Sequence, residues 1–395
     1  MLPLPVEGLR VLDLSRLLPG PFCTLCLADF GAEVIKIEDI ERGDGVRWLP
    51  PLQPGSTVGA WHLMLNRGKQ SVALNLKDPR GKDVFLRLAE TADVLLEGFR
   101  PGVMHRLGLD YAALRTRNPR LIYCSLTGYG QDGPYAQLAG HDLNYLGLAG
   151  VLALLGPADG PPSVPGVQIA ELGGGGQLAL IGILLALLAR ATSGVGQYVD
   201  VAMLDGSFAW LQRAASLAFA TGMEPRRGSF DLAGKYACYQ VYECRDGGYL
   251  AVGALEAHFW ATLCRQLGLP ELIPLQFDDA RREEVLATVR ARFMQRARDE
   301  WFAELRELDA CVTPVRSVTE ALADPHFRER GLLLETADPR HGPLRQLGQP
   351  FRLSDAPPRP PTPAPELGEH TDAQLSALGY STEELATLRA ERVIR

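Results

Sequence analysis

Short apolar runs recur along the first half of the chain and are separated by stretches with a helical pattern. The runs predict buried strands at residues 9–14, 33–38, 71–76, 93–96, 121–125 and 197–204. One intervening helix is predicted over 23–30, and another begins after Asp78, an N-cap residue followed by Pro79 at the first helical position. Strands that alternate with helices predict an α/β fold whose parallel sheet is covered on both faces.

The pattern changes after residue 221. A polar segment at 222–235 is predicted to link a large domain over 1–221 to a smaller domain over 236–330. Strands at 239–244 and 249–254 flank a turn sequence that predicts a hairpin. Helices follow at 257–267, 280–296 and 299–307. This smaller domain is therefore expected to be α+β.

The last part of the chain, 331–395, contains signals for a linker and two short helices. The proline-rich stretch 356–365 predicts a stiff, extended linker. Capping-box sequences that start at Thr371 and Ser381 predict the beginnings of two helices.

The most apolar run of the chain, 178–189, is predicted to be a buried helix, because it contains Gly182 and is short for a membrane span. Four glycines at 173–176 precede it and could leave room for a ligand against bare backbone. Glu171 comes just before them and would lie at the N-terminus of the helix, where negative charge is favoured.

A histidine, His141, lies earlier in the chain beside the polar residues Asp142, Asn144 and Tyr145. A carboxylate and a histidine near a helix N-terminus are components of proton-transfer and acyl-transfer sites. The alternative is that Glu171 only starts a helix and that His141 is an ordinary loop histidine.

Composition and charge restrict the class of function. The net charge of −7 disfavours a nucleic-acid partner, and the 46% hydrophobic and 22% charged residues disfavour a membrane protein. Seven cysteines, an odd number in a long chain, indicate reduced thiols and a cytoplasmic location. The first strand–helix junction lacks the GxGxxG fingerprint, which disfavours a dehydrogenase. Basic residues adjoin predicted strands and either bind an anionic ligand or form a solvated rim; they are Arg67, Lys69, Arg100 and Arg106.

Several motifs, in one order along nearly the whole chain, resemble those of the family III CoA-transferases. They are GAEVIK at 31–36, NRGK at 66–69, EGFRPGV at 97–103, GHDLNY at 140–145, GQYVD at 196–200 and GEHT at 368–371. GHDLNY, with YQVYE at 239–243 and AVGALE at 251–256, is most similar to the family members that racemise α-methylacyl-CoA thioesters.

The resemblance implies a Rossmann-like large domain with a parallel sheet built from both chain ends, plus the smaller α+β domain. Residues 331–395 would then be a return linker and the C-terminal segment of the large domain. The resemblance also implies a homodimer of interlocked chains and an acyl-CoA substrate. No metal and no cofactor beyond the coenzyme A of the substrate are expected.

The resemblance also implies roles for individual residues. The catalytic residues would be His141, Glu171 and Glu256. The CoA-binding residues would be Arg67, Lys69, Glu97, Phe99, Arg100, Arg106, Gly140, Asp142, Asn144 and Tyr145. Two positions depart from the family pattern. Glu171 stands where the family has aspartate, and Asp39 stands where the racemases have an arginine that Arg42 or Arg47 could replace.

Three functions follow as expectations. The first is epimerisation of the α-carbon of a 2-methylacyl-CoA, with His141 and Glu171 as bases on opposite faces and helix N–H groups at the enolate oxygen. The second is transfer of CoA between carboxylic acids through a mixed anhydride on Glu171, which the long predicted loop at 40–66 favours. The third is acyl-CoA binding without catalysis.

Overall fold

The computed structural model describes residues 3–395, which divide into two compact units. The larger comprises the described residues up to Ala149, Pro165–Trp210 and His326–Arg395, and the smaller comprises Gly150–Val164 and Leu211–Pro325. The larger unit is thus built from both chain ends.

The boundaries of the units differ from the predicted division at 221/222, because 150–164 and 211–221 belong to the smaller unit. Arg227 shows why, since its guanidinium donates to the carbonyls of Ala153, Pro157 and Gly160 at 2.5, 3.1 and 2.8 Å. These contacts join residues about seventy positions apart in the sequence. A local sequence pattern therefore could not predict which unit these segments belong to.

The strands in chain order are β1 Arg10–Leu14, β2 Glu33–Glu38, β3 Gln70–Ala73, β4 Val94–Glu97, β5 Ile122–Thr127, β6 Tyr198–Ala202, β7 Tyr239–Glu243, β8 Tyr249–Gly253, β9 Val312–Val315, β10 Leu333–Asp338 and β11 Gly342–Leu347. The α-helices are α1 Pro19–Asp29, α2 Ala60–Leu65, α3 Pro79–Glu90, α4 Val103–Leu107, α5 Tyr111–Arg117, α6 Asp142–Leu148, α7 Leu178–Ser193, α8 Met203–Phe208, α9 Gln212–Thr221, α10 Ala257–Gln266, α11 Arg282–Phe293, α12 Arg298–Leu305, α13 Val318–Ala323, α14 Pro325–Glu329, α15 Thr371–Ala377 and α16 Thr382–Ala390.

The sheet of the larger unit confirms the predicted fold class. Its strands run parallel in the order β3-β2-β1-β4-β5-β6. These strands all precede residue 203, and the C-terminal segment contributes the β10–β11 hairpin, α15 and α16. Chain order reverses between β1 and β4, and open α/β sheets bind ligands outside the carboxyl ends of the strands at such a point.

The core of the larger unit joins the sheet to both ends of the chain. Leu12, Leu95 and Tyr123 of the sheet share one buried cluster with Phe85 of α3 and Leu385 of α16. Burying such side chains is the main favourable contribution to folding, at roughly 1.5–3 kcal/mol for each fully buried one.

Two helix starts were predicted with different success. The capping box at Ser381 is confirmed, since its hydroxyl accepts from the Glu384 N–H. The capping box predicted at Thr371 is wrong, because the N-cap of α15 is His370 and Thr371 is the first residue of the helix. The Thr371 hydroxyl instead accepts from the Ala73 N–H at 3.1 Å and attaches the C-terminal segment to β3.

The glycine segment does not offer bare backbone to a ligand. Residues Ala170–Gln177 form a π-helix that continues directly into α7, and Gly173–Gly176 are buried. A Cβ on Gly174 would lie 2.8 Å from the Met203 carbonyl, and one on Gly176 would lie 2.7 Å from the Pro19 carbonyl. The glycines therefore allow this helix to touch α1 and α8.

The prediction that the apolar run is a buried helix is wrong for the single chain. Ala170–Ser193 is long and apolar enough to cross a membrane by length and composition alone, with a mean hydropathy of 2.0. One side of α7 packs on the sheet, whereas Leu185 and Leu188 on it are 60% and 68% exposed.

The smaller unit contains the predicted β7–β8 hairpin, and β9 completes an antiparallel sheet. Helices α10, α11 and α12 cover a core that includes Tyr242, Trp260 and Phe293. The strand β9 was not predicted, because VTPV is short and contains a proline.

We expect Gly174→Ala to destabilise the larger unit. The new methyl group would meet the Met203 carbonyl and Ser207, and overpacking of this kind costs about 1–3 kcal/mol. This loss should outweigh the gain in helix propensity of up to about 1 kcal/mol. The melting temperature should fall, whereas Gly166→Ala, whose Cβ meets nothing within 4 Å, should leave it unchanged. Equal melting temperatures for the two variants would contradict the packing role.

Candidate active site

A cavity of about 360 Å³ lies at the carboxyl ends of β1, β4 and β5, where the order of the strands reverses. Its walls come from the larger unit and include residues within 15–20, 98–101, 126–129 and 136–145, with Glu171 and Met203. The predicted residues His141, Glu171, Gly140 and Tyr145 all line it.

His141 and Glu171 face each other in this cavity. The His141 Nδ1 lies 3.7 Å from the Glu171 Oε1. The imidazole is 82% exposed, whereas the Glu171 side chain is only 14% exposed. His141 is the N-cap of α6, and its backbone N–H donates to the Asn144 Oδ1 at 3.0 Å. Asn144 thus positions the histidine through its backbone.

Asp142 fixes the position of Glu171 by a reciprocal pair of hydrogen bonds. The Glu171 N–H donates to the Asp142 Oδ1 at 2.9 Å, and the Asp142 N–H donates to the Glu171 Oε1 at 3.3 Å. The Leu172 N–H donates to the Gln168 carbonyl. Because these N–H groups are already engaged, the prediction that they stabilise an enolate oxygen is wrong.

Burial raises the pKa of Glu171, and the nearby charge of Asp142 raises it further. Burial also raises the pKa of Tyr145 to about 12, so its hydroxyl stays protonated and donates to the Gly140 carbonyl at 2.5 Å. A carboxyl group with a raised pKa beside an imidazole in a cavity is suited to accept and return a proton.

A second cavity of about 560 Å³ adjoins the first along the carboxyl ends of β1, β2 and β3. Both are lined by Ser15, Arg16 and Phe99, and the Arg16 guanidinium lies 5.1 Å from the centre of the Phe99 ring. Arg16 and Lys77 are exposed at the second cavity, and within residues 3–395 neither has a carboxylate partner. Four acidic residues also line the second cavity, three of them paired with basic side chains; the four are Glu38, Asp39, Glu41 and Asp44. Together the two cavities could accept an elongated ligand whose anionic groups lie beside Arg16 and Lys77.

Arg67 and Lys69 line neither of the two cavities described above. Arg67 is buried and pairs with Asp29 at 2.7 Å. Lys69 is buried and pairs with Asp13 at 3.2 Å. The alternative of a solvated rim is therefore wrong for both residues, and their predicted role in CoA binding stays a prediction.

Among the other residues predicted to bind CoA, some are exposed at the surface, whereas Glu97 is buried and holds a neighbouring residue in position. Arg100 is exposed and lines the first cavity. Arg106 is exposed on α4 and lines neither cavity, although Val103 and Leu107 of the same helix line the second. Glu97 is buried, and its carboxylate accepts from the Phe99 N–H at 2.8 Å. Glu97 therefore supports Phe99 rather than facing the cavity.

Three further expectations concern residues outside the first cavity. Glu256 belongs to the smaller unit, where it is the exposed N-cap of α10. Arg47 is buried and pairs with Glu38 at 2.6 Å. It therefore cannot take the place of the arginine that the racemases have at the position of Asp39. Arg42 is exposed but lines neither cavity.

Arg16 was not singled out from the sequence. It is the second residue after the strand β1, and a position just beyond the carboxyl end of a parallel strand is where ligand-facing residues lie.

We expect Glu171→Gln to raise the melting temperature near neutral pH. The raised pKa means that the folded state disfavours the carboxylate, a cost that is present above the folded pKa and disappears as the pH falls below the ordinary value of 4.5. The amide still accepts from the Asp142 N–H. The difference from wild type should therefore vanish at acid pH, and Glu335→Gln, on an exposed strand position, should show no difference. A lower melting temperature for Glu171→Gln at neutral pH would contradict the raised pKa.

The model of CoA-transferase family III matches residues 6–371. The chain is 37% identical over 400 residues to an α-methylacyl-CoA racemase from Homo sapiens, covering 98% of this chain and 97% of the relative. It is 35% identical over 378 residues to a succinyl-CoA:glutarate CoA-transferase from Mus musculus, covering 93% and 85%. A crystal structure of a CaiB/BaiF family protein from Brucella suis has a TM-score of 0.83 and 33% identity, covering 95% of this chain and 100% of that one. The chain therefore belongs to CoA-transferase family III.

Proposed function

We propose that the chain epimerises the α-carbon of 2-methylacyl-CoA thioesters by proton transfer through an enolate. The observation that supports this most is the facing pair of His141 and Glu171 in a cavity at the reversal of strand order. The 37% identity to α-methylacyl-CoA racemase adds support.

The substrate would extend across both cavities. The nucleotide part would lie along β1, β2 and β3, where Arg16 and Lys77 offer positive charge. The thioester would pass Phe99 and Arg100 and enter the first cavity, where Leu126, Leu138 and Met203 supply an apolar part of the lining. An apolar acyl chain with its α-carbon near Glu171 suits these walls.

Proton exchange at carbon requires each base to come within about 3 Å of the α-carbon, on opposite faces. The 3.7 Å separation of the two groups is too short for a carbon between them. The exposed imidazole of His141 has space to change its rotamer, whereas Glu171 is held by Asp142. His141 would therefore move to admit the substrate.

CoA transfer is the second candidate, and the half-buried carboxylate of Glu171 favours it. The carboxylate would attack the thioester carbonyl and release CoA as a thiolate, which leaves a mixed anhydride on Glu171. The thiolate would attack the Glu171 carbonyl of this anhydride, which frees the donor acid and gives a glutamyl thioester. The acceptor carboxylate would displace the thiolate from that thioester, and the thiolate would then attack the acceptor carbonyl of the new anhydride to give the product thioester and regenerate the Glu171 carboxylate. Identity to transferases is nearly as high as to racemases. Binding without catalysis is the third candidate.

We expect wild-type protein to incorporate deuterium at the α-carbon of a 2-methylacyl-CoA in deuterated water and to scramble its configuration. Glu171→Gln should abolish both, because an amide cannot act as a base. His141→Ala should slow both by roughly 10²–10⁴-fold. Mass spectrometry and chiral separation of the acid measure the two effects.

His105→Ala is the matched control, since this exposed histidine pairs with Asp110 at 2.6 Å outside both cavities and should not affect either rate. Transfer of CoA to an added carboxylic acid without deuterium uptake would replace the racemase proposal with the transferase. Neither activity over a broad set of acyl-CoA thioesters would favour a binding protein.

We also propose that two copies of the chain form a homodimer through α7. Ile181, Leu184, Leu185 and Leu188 form an exposed apolar stripe on this helix. The opposite side of α7 packs on β5 and β6, and Arg190 pairs with Asp93 at 2.9 Å, so the helix is not surrounded by lipid. A stripe of this kind is typical of a surface that a second protein covers.

We propose a cytoplasmic location for the protein, and the free cysteines support it.

We expect the double variant Leu185→Glu and Leu188→Glu to dissociate the dimer, because burying two carboxylates in an apolar interface is unfavourable. Light scattering should give twice the chain mass for wild type and the chain mass of 43.0 kDa for the variant. A wild-type monomer, or a variant dimer of unchanged stability, would refute the assignment of this stripe.

A further inference from the structure

The loop Ser15–Leu18, which connects β1 to α1, separates the two cavities. Ser15 and Arg16 line both cavities, and Leu17 lines the first. Leu17 has a φ of 65°, a left-handed conformation that costs energy for a leucine and persists only where the surroundings impose it. Something other than the preference of its own residues therefore holds the loop in this shape.

Buried polar groups supply that constraint. The Lys36 Nζ donates to the Ser15 carbonyl at 2.8 Å. The Leu17 N–H donates to the Asp44 Oδ1 at 3.1 Å, and the Ser15 N–H donates to the Asp13 Oδ1 at 2.9 Å. The loop backbone is thus attached to three charged side chains from β1, β2 and the segment after β2.

The charges also hold one another. Lys36 and Asp44 form an ion pair of 2.9 Å with both side chains fully buried. Burial alone would raise the pKa of Asp13, but Lys36 and Lys69 lower it to about 2. Burial alone would lower the pKa of Lys36, but Asp13 and Asp44 raise it. Asp13 and Lys36 therefore remain ionised at neutral pH.

An apolar cluster would fill this space with equal or greater stability, because buried ion pairs lose much of their attraction to desolvation. Apolar side chains, however, could not bind the Ser15 carbonyl and the Leu17 N–H. The arrangement therefore favours a defined loop conformation over maximal stability.

We propose that Lys36 and Asp44 are positioning residues that hold the loop Ser15–Leu18 so that Arg16 contacts the anionic diphosphate part of an acyl-CoA. The proposal rests on the proposed function, since it requires CoA to bind across the two cavities. Neither Lys36 nor Asp44 would contact the thioester or the reacting carbon.

The test is a double-mutant cycle on the full-length protein, with unesterified CoA as the probe and calorimetry as the measurement. We expect Arg16→Ala to weaken CoA binding by about tenfold or more, as for the loss of a charge-assisted contact. Lys36→Met should weaken it to a similar extent. The double variant should bind no more weakly than either single variant, because the effect of Lys36 passes through Arg16.

Arg190→Met is the matched control, since Arg190 is also buried and paired with a carboxylate. Its partner Asp93 directly precedes β4, at the amino end of the strand, whereas the cavities lie at the carboxyl ends. The control variant should lower the melting temperature without weakening CoA binding. Asp44→Asn gives a milder variant if Lys36→Met does not fold, because its amide oxygen can still accept from Leu17 while the ion pair is lost. It should weaken CoA binding in the same direction.

The outcomes distinguish a failure of the proposed function from a failure of the positioning role. Wild-type protein that fails to bind CoA would refute the proposed function. Wild-type binding that Lys36→Met leaves unchanged, or effects of Lys36→Met and Arg16→Ala that add independently, would overturn the positioning role alone. A raised KM for acyl-CoA with a nearly unchanged kcat in Lys36→Met would support it.

Discussion

The direct contact between the glycine segment and its neighbouring helices is the constraint on which the candidate site depends. Gly174 and Gly206 approach so closely that a Cβ on Gly206 would lie 2.1 Å from the Gly174 carbonyl. Because the π-helix is fixed in this way, Glu171 near its beginning is fixed as well. The carboxylate then meets Asp142 and His141 of α6, a helix that also packs on α8.

The central strands and the proximity of His141 and Glu171 could be predicted from the sequence because their signals are local. Apolar runs mark β1, β2, β4 and β5, and Asp78 with Pro79 marks the start of α3. The site pair could be predicted because a histidine and a carboxylate each adjoin a helix start. Strands β10 and β11 gave no such signal, since their exposed, polar sequences pair mainly with each other.

The environments of charged and apolar residues could not be predicted, because they depend on distant partners. Arg67 and Lys69 find their carboxylates 38 and 56 residues away, so a local pattern assigns them to the surface. The apolar residues of α7 led to the opposite error. A helix that is apolar all round is expected to be buried, yet one chain alone leaves a stripe of it uncovered.

The attachment of the C-terminal segment to β3 has a consequence for synthesis of the protein. Leu375, Leu385 and Ile394 belong to the same buried cluster as the first strands. On the ribosome, β1 to β6 therefore emerge with part of their apolar surface uncovered, and they stay so until α15 and α16 arrive. The smaller unit is complete by Pro325 and can bury its own core earlier. The part of the chain that is made first thus finishes folding last, and it is the part most exposed to aggregation and to chaperones during translation.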